Sequence, residues 1–146
     1  MIRNAIFGIM LILLLIGMLF SSVNIKPARS TWTGTVYIRA DGSIDPPDAP
    51  ITTYDRITYT LTDNITSSAD GIIVERDNVI IDGAGYTLQG PGREQYLSKG
   101  ICLTNRVSVN IENIRITQFH HAVWLNSCLF ITIKGSIMEN LSLIHI

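Results

Sequence analysis

Three charged residues recur along this chain at the spacings of an internal repeat. Asp82, Glu112 and Lys134 lie 30 and 22 positions apart. If these offsets place them on neighbouring strands, the two carboxylates lie about 4.8 Å apart. Such a pair could share Ca²⁺, which takes six or more oxygen ligands, although only Asp82 and Glu112 can be named as ligands. The alternative is an ordinary solvent-exposed column of charges, in which Lys134 and water reduce the repulsion between the two carboxylates.

A second set of residues has the same spacing but is apolar. Ile73, Cys102 and Trp124 fall in one column, 29 and 22 positions apart. Trp124 could stack on a sugar ring, because exposed aromatic side chains often mark binding sites. Three apolar neighbours facing water would be an unusual patch. The other interpretation is therefore that the N-terminal lead-in or the insertion at 90–100 covers this column.

Two adjacent histidines, His120 and His121, suggest a metal site. Neighbouring side chains on extended backbone point to opposite faces, and no third ligand lies nearby in the sequence, which favours a polar turn. The acidic residues of "ADGSIDPPDAP", which are Asp41, Asp45 and Asp48, do not match a calcium-binding loop and indicate turns. No acid–base pair of carboxylates can be assembled, so the catalytic residues stay unknown and enzyme activity stays uncertain.

These residues sit on a repeat that specifies the architecture. "GICLTNRVSVNIENIRITQF" begins at Gly100, "AVWLNSCLFITIKGSIMENL" follows 22 residues later, and "GIIVERDNVIIDGAGYTLQG" begins at Gly71. Apolar and polar residues alternate within each line, which predicts short strands with one buried face. A strand unit repeating near 22 residues predicts an all-β parallel β-helix of about three visible coils, with Ile101 stacked between Ile72 and Val123. A sandwich of hairpins is disfavoured, because no Asn-Gly turn occurs.

The N-terminus has the features of an export signal. Arg3 precedes an uncharged apolar run from Ala5 to Phe20, and "PARS" offers a cleavage site with small residues. Residues 1–30 are therefore interpreted as a signal peptide, with a retained membrane anchor through residues 5–20 as the alternative. Without them the chain holds eight Lys and Arg against twelve Asp and Glu, so no basic patch indicates nucleic-acid binding.

Two further sequence features bear on an exported protein. Asn64-Ile65-Thr66 matches the N-glycosylation pattern, which has meaning only outside the cytoplasm. Cys102 and Cys128 are the only cysteines. Cys102 falls in a strand and Cys128 in the following turn, so their Cα atoms should lie beyond the roughly 7 Å limit for a disulfide. Two free thiols are predicted.

The lines at Gly71 and Gly100 resemble the right-handed β-helix repeat proteins of the pectin-lyase-like superfamily. In particular they look like the exported NosD-like, carbohydrate-binding repeats of archaeal surface proteins, and "TVYIRADGSIDPPDAPI" looks like the lead-in of such proteins. The resemblance covers residues 32–140 and implies a right-handed parallel β-helix. It specifies activity poorly, because the superfamily hosts lyases, hydrolases, epimerases and surface proteins without enzymatic activity.

The end of the chain departs from the repeat. Leu141 to Ile146 read "LSLIHI", which matches the translation of a transposase end sequence used in preparing sequencing libraries. These residues are therefore expected to be adapter-derived and the chain to be an N-terminal fragment, and a genuine terminal strand is the alternative. The expected organisation is then a signal at 1–30, an extended lead-in or cap at 31–56, incomplete β-helix repeats at 57–140, and a non-native tail at 141–146.

These observations favour a secreted or cell-surface β-helix protein that binds a polysaccharide or surface glycan. One alternative is a polysaccharide lyase or glycoside hydrolase whose active site lies in further coils. Another is a NosD-like maturation factor for a copper enzyme, which would require more His or Met in register. A purely structural surface module, or self-association through an open end of the β-helix, is also compatible with the repeat.

Overall fold

The computed structural model describes residues 32–95 and 97–142. The expected signal segment at 1–30 and the last four residues of the expected tail lie outside them. The described residues contain only strands, turns and bends. The strands are β1 Trp32–Thr33, β2 Val36–Ile38, β3 Ile44–Asp45, β4 Ile51–Thr52, β5 Thr58–Leu61, β6 Ile65–Thr66, β7 Ile72–Val74, β8 Val79–Asp82, β9 Thr87–Gln89, β10 Lys99–Thr104, β11 Val109–Glu112, β12 Arg115–Thr117, β13 His121–Asn126, β14 Thr132–Lys134 and β15 Ile137–Glu139.

The strands form three five-stranded sheets. Sheet A has the order β1-β6-β9-β12-β15, sheet B has β13-β10-β7-β2-β3, and sheet C has β14-β11-β8-β5-β4. Neighbouring strands are parallel except for β2 with β3 and β4 with β5. From β7 onward the chain enters sheets B, C and A in that order three times. We call these passages unit 1 (β7–β9), unit 2 (β10–β12) and unit 3 (β13–β15).

The observed register confirms the stacking predicted from the repeat. Ile101 pairs with Ile72 on one side and with Val123 on the other. Ile111 lies between Ile81 and Ile133 in the same way. The 22-residue offset therefore corresponds to one step between neighbouring parallel strands.

Unit 1 is longer than units 2 and 3 because of two insertions. Ile81 and Leu88 pair with Ile111 and Ile116, so the turn at residues 83–86 holds two extra residues. The other six extra residues of the 30-residue offset fall in the segment at 90–98, before Lys99 begins β10. Both insertions lie in connections between strands, so they leave the ladders in register.

The core consists of the side chains that alternate inward from all three sheets. Burial of each such side chain stabilises the fold by roughly 1.5–3 kcal/mol relative to exposure. The apolar side chains without any exposed area are those of Val36, Ile38, Tyr59, Ile65, Ile72, Ile81, Leu88, Ile101, Leu103, Val109, Ile111, Ile116 and Phe119. In unit 3, Val123 on sheet B is buried, whereas the inward residues on sheets C and A pack against this core but stay half-buried, as Ile133 and Met138 illustrate.

The turns repeat their backbone conformation as well as their spacing. Left-handed residues occur in pairs that lie 22 positions apart: Asn105 and Ser127, Ser108 and Phe130, Asn113 and Gly135, Gln118 and Asn140. Asn and Gly adopt this conformation readily, whereas a bulky side chain such as that of Phe130 does so rarely. The common turn geometry is what keeps unit 3 in register with unit 2.

The segment at 31–56, expected to be an extended lead-in or cap, contains four short strands. β1 joins sheet A beside β6, and β2 joins sheet B beside β7, both in parallel. β3 and β4 add antiparallel strands to the edges of sheets B and C. The described part of the chain contains no helix that is long and apolar enough to span a membrane.

Candidate functional site

The outer side of sheet B carries a column of four half-buried side chains, which we call the aromatic column. Tyr37 pairs with Ile73, Ile73 with Cys102, and Cys102 with Trp124. The sequence predicted the last three in register, and the structure adds Tyr37 at the other end. Because the column crosses four neighbouring strands, its two aromatic ends lie about 14 Å apart along the stacking direction.

At one end of the column, Arg39 covers part of Tyr37. The guanidinium carbon lies 4.2 Å from the ring centroid, within the range of a cation–π contact. Arg39 is also paired with two carboxylates, those of Asp45 and Glu75, the latter at 3.0 Å. The hydrogen bond to Asp45 is the main cause that raises the pKa of Arg39. This end therefore presents an aromatic ring beside a neutralised cation.

At the other end of the column, Trp124 has a similar arrangement. The Lys99 ammonium lies 5.5 Å from the indole centroid and 3.9 Å from Oδ2 of Asp70. The imidazole of His121 contacts the indole from a buried position, with ring centroids 5.0 Å apart. Lys99, which begins β10 directly after the insertion at 90–98, lies over part of Trp124, and the indole is half-buried.

A groove of about 260 Å³ lies beside the Tyr37 half of the column. One wall is the turn at 68–70, and the other is formed by Gln95, Leu97 and Ser98. Its lining combines an aromatic ring with hydroxyl, amide and carboxylate groups, as is common in ligand pockets. The residues that line it are Thr35, Tyr37, Ser68, Ala69, Asp70, Ile73, Gln95, Leu97 and Ser98.

Hydrogen bonds to the backbone fix both walls of the groove. Asp70 Oδ1 accepts from the backbone N–H of Lys99 at 2.8 Å, and the Asp70 carbonyl accepts from the Thr35 hydroxyl at 2.7 Å. Ser98 joins the insertion loop to unit 3, because its hydroxyl accepts from His120 N–H at 3.0 Å and its carbonyl accepts from His121 N–H at 2.9 Å. These hydrogen bonds hold both walls of the groove in place.

The two cysteines are free, as the sequence predicted. Burial raises the pKa of the Cys102 thiol, while the nearby Lys99 charge opposes that effect. The Cys128 thiol donates weak hydrogen bonds to the carbonyls of Leu103 and Asn126, at 3.5 and 3.4 Å. Cys102, in the middle of the aromatic column, is consequently mostly a neutral thiol at pH 7.

The predicted charged column on sheet C is present, and its carboxylates have protein partners. Asp82 pairs with Glu112, and Glu112 with Lys134. Lys134 Nζ lies 2.7 Å from Glu112 Oε2, and that contact raises the pKa of Lys134. Asp82 Oδ1 accepts from the side-chain amide of Asn113 at 3.2 Å and from Ala84 N–H at 2.9 Å. These contacts fit the solvated column better than a calcium site.

The remaining candidate ligands do not assemble into a metal-binding set of three or more side chains in the described residues. Within residues 32–95 and 97–142, no group of three or more His, Cys, Asp or Glu side chains could hold a metal ion. The rings of His120 and His121 contact each other edge to face, with centroids 4.6 Å apart. Asp41 accepts from Ser43 and Asp45 pairs with Arg39. Asp48 accepts from the indole N–H of Trp32.

Asn64, the candidate glycosylation site, is exposed at the start of β6. Its side-chain oxygen accepts from the backbone N–H of Thr87 at 2.9 Å. That bond uses the amide oxygen and leaves the amide nitrogen, to which a glycan would be attached, outside this contact. The geometry is compatible with an N-linked glycan.

Comparison with protein-family models, with curated proteins and with solved structures finds no match to this chain. The resemblance to pectin-lyase-like repeats therefore remains an expectation based on the residues. The arrangement of strands supports its coarse part, an all-β fold with three mostly parallel sheets.

Two residues of the site were not found from the sequence. Tyr37 lies 36 positions before Ile73, an offset that the 22-residue repeat does not contain. The alternation of Val36, Tyr37 and Ile38 matches that of Ile72, Ile73 and Val74 and was the available signal. The contact of Lys99 with Trp124 could not be predicted from the sequence. Lys99 follows a long insertion, and the spacing of the repeat does not determine the direction of its side chain.

Proposed function

We propose that this chain is part of an exported, cell-surface protein that binds an extended polysaccharide or surface glycan on the outer side of sheet B. The proposed fold is a right-handed parallel β-helix of the pectin-lyase-like, NosD-like kind. The recurring order of sheets B, C and A and the 22-residue register support the β-helix. The apolar N-terminal segment and the exposed Asn64 support export.

The observation that carries the binding function is the aromatic column beside its groove. Tyr37 and Trp124 provide flat apolar rings at the two ends, and both remain partly accessible. The groove beside the Tyr37 half of the column supplies hydroxyl, amide and carboxylate groups from Ser68, Gln95 and Asp70. Aromatic stacking combined with polar groups suits a sugar chain, whose rings have apolar faces and polar edges.

Glycan binding by aromatic variants tests this proposal. The chain would be applied to a glycan array and then titrated with soluble xylan, glucan, mannan and galacturonan. We expect Trp124→Ala and Tyr37→Ala each to weaken binding by about tenfold, because a hot-spot aromatic contributes more than about 1 kcal/mol. Tyr54→Ala is the matched control, since Tyr54 is almost fully exposed and lies outside sheet B.

Two results would contradict glycan binding at this site. One is the absence of any retained glycan on the array. The other is an equal effect of Tyr54→Ala and Trp124→Ala. A readout that needs no substitution in the aromatic column is the rate of iodoacetamide labelling of Cys102 in a Cys128→Ser variant, which a bound glycan should slow.

A further inference from the structure

We infer that the aromatic column selects uncharged glycans over polyuronates and binds them across the strands. This inference rests on the proposed function and adds the chemical class of the ligand and its direction. It follows from the charges that flank the column and from the order of the strands, and each can be examined separately.

The cations beside the column are already neutralised by carboxylates. Arg39, over Tyr37, is bound by Asp45 and by Glu75, the latter at 3.0 Å. Lys99, near Trp124, has Asp70 at 3.9 Å. A uronate polymer would need such cations to pair with its carboxylates, and it would first have to displace these partners.

Among the cations that contact the two aromatic rings and the carboxylates paired with those cations, negative charge is in excess. Arg39 and Lys99 supply two positive charges, and Asp45, Asp70 and Glu75 supply three negative charges. His121, which contacts Trp124, is buried. Residues 31–146 as a whole carry four more acidic than basic residues. A polyanion approaching this face therefore meets like charge, which lowers both its association rate and its affinity.

The direction of binding follows from the order of the strands. Tyr37, Ile73, Cys102 and Trp124 belong to β2, β7, β10 and β13, which are consecutive in sheet B. A ligand that contacts both aromatic rings must therefore lie across the strands and span about 14 Å. A shorter ligand reaches one ring only.

Calorimetric titration with two series of oligosaccharides tests the inference. The probes are cello-, xylo- and manno-oligosaccharides of increasing length, and oligogalacturonates of matched length. For at least one uncharged series we expect affinity to rise with length until both rings are spanned and then to level off. Oligogalacturonates should bind about tenfold more weakly at low ionic strength, and salt should narrow the difference.

A charge variant distinguishes the effect of the charges beside the column on oligogalacturonate affinity from the effect of the net charge of the protein. Glu75→Gln should raise the affinity for oligogalacturonate severalfold relative to the affinity for the uncharged series. Glu139→Gln is the matched control, because Glu139 is also paired with an arginine, Arg115 at 2.6 Å, but on sheet A.

The outcomes that overturn the inference differ from those that overturn glycan binding. Equal or tighter binding of oligogalacturonates, or affinity independent of length, overturns the inference and leaves glycan binding intact. Retention of array glycans without binding of any uncharged series also overturns it. The absence of all glycan binding overturns the proposed function as well.

Discussion

At the residue scale, short polar side chains hold the turns of the N-terminal segment in place. Asp55 is an example, because Oδ1 accepts from the backbone N–H groups of Ile57 and Thr58, both at 2.8 Å. The bonds from Thr58 and Ile57 lower the pKa of Asp55. In Asp41, a bond from the Ser43 hydroxyl is the first cause of the same effect. Such local bonds stabilise the turns that precede β3 and β5.

The lowered pKa values predict how stability depends on pH. The folded state favours ionised Asp55 and Asp41, so their contribution is present above the ordinary Asp pKa of 3.8 and is lost as pH falls through the lower folded value. Asp55→Asn should flatten this loss of stability below pH 3.8, and adding Asp41→Asn should flatten it further. Urea unfolding at several pH values measures the effect. An unchanged acid dependence in the double variant would contradict the assignment.

At this scale, the residues that occupy equivalent positions of the repeat could be predicted from the sequence, whereas their side-chain contacts could not. The column of Asp82, Glu112 and Lys134 was predictable, because a fixed offset places equivalent residues side by side. The contact of Asn113 with Asp82 was not, because unit 1 holds two extra residues at this turn. Local packing determines the direction of a side chain in an irregular turn, and the spacing of residues in the sequence does not reveal that packing.

At the element scale, β8 and β11 each have one face in the core and one face that is partly exposed to solvent. Ile80 and Ile81 are neighbours on β8, and the first is half-buried whereas the second has no exposed area. Ile81→Ala should lower the free energy of unfolding by about 2–5 kcal/mol, because it opens a cavity between units. Ile80→Ala, the matched control, should cost about 1 kcal/mol or less.

Urea unfolding of both variants measures this difference. A similar loss in the two variants would show that β8 does not pack inward as the ladder places it. The faces of β8 and β11 could be predicted from alternation and register together. The parallel pairing of β2 with β7 could not, because the offset of 36 occurs once and forms no repeat.

At the scale of the whole molecule, burial differs between the first and last strands. β3 and β4 add antiparallel strands to sheets B and C, whereas the apolar side chains of Leu129, Phe130 and Ile137 in unit 3 are exposed. In an array of stacked units, stability is a sum of units and nearest-neighbour interfaces. Unit 3 should therefore be the least stable of the three units.

Two tryptophans can report on this gradient. Trp32 lies on β1, and Trp124 lies on β13 of unit 3. In urea, the fluorescence transition of a Trp32→Phe variant, which reports on Trp124, should have a lower midpoint than that of a Trp124→Phe variant, since the inward side chains of unit 3 on sheets C and A are only half-buried. Coincident transitions would instead show that the described units unfold as one cooperative block.

The 22-residue register has a consequence for how such a molecule can change through evolution. Gain or loss of one whole unit leaves every remaining ladder aligned, whereas gain or loss of a single residue within a strand turns its core side chains toward water. The insertion at 90–98 keeps the ladders aligned because it lies in a connection between strands. It contributes residues to a wall of the groove, and Ile101 stays paired with Ile72. Gene duplication in steps of one unit would lengthen the outer face of sheet B by about 4.8 Å each time. If the proposed function holds, the number of units would set the length of glycan that is bound, and the loops would set the shape of the site.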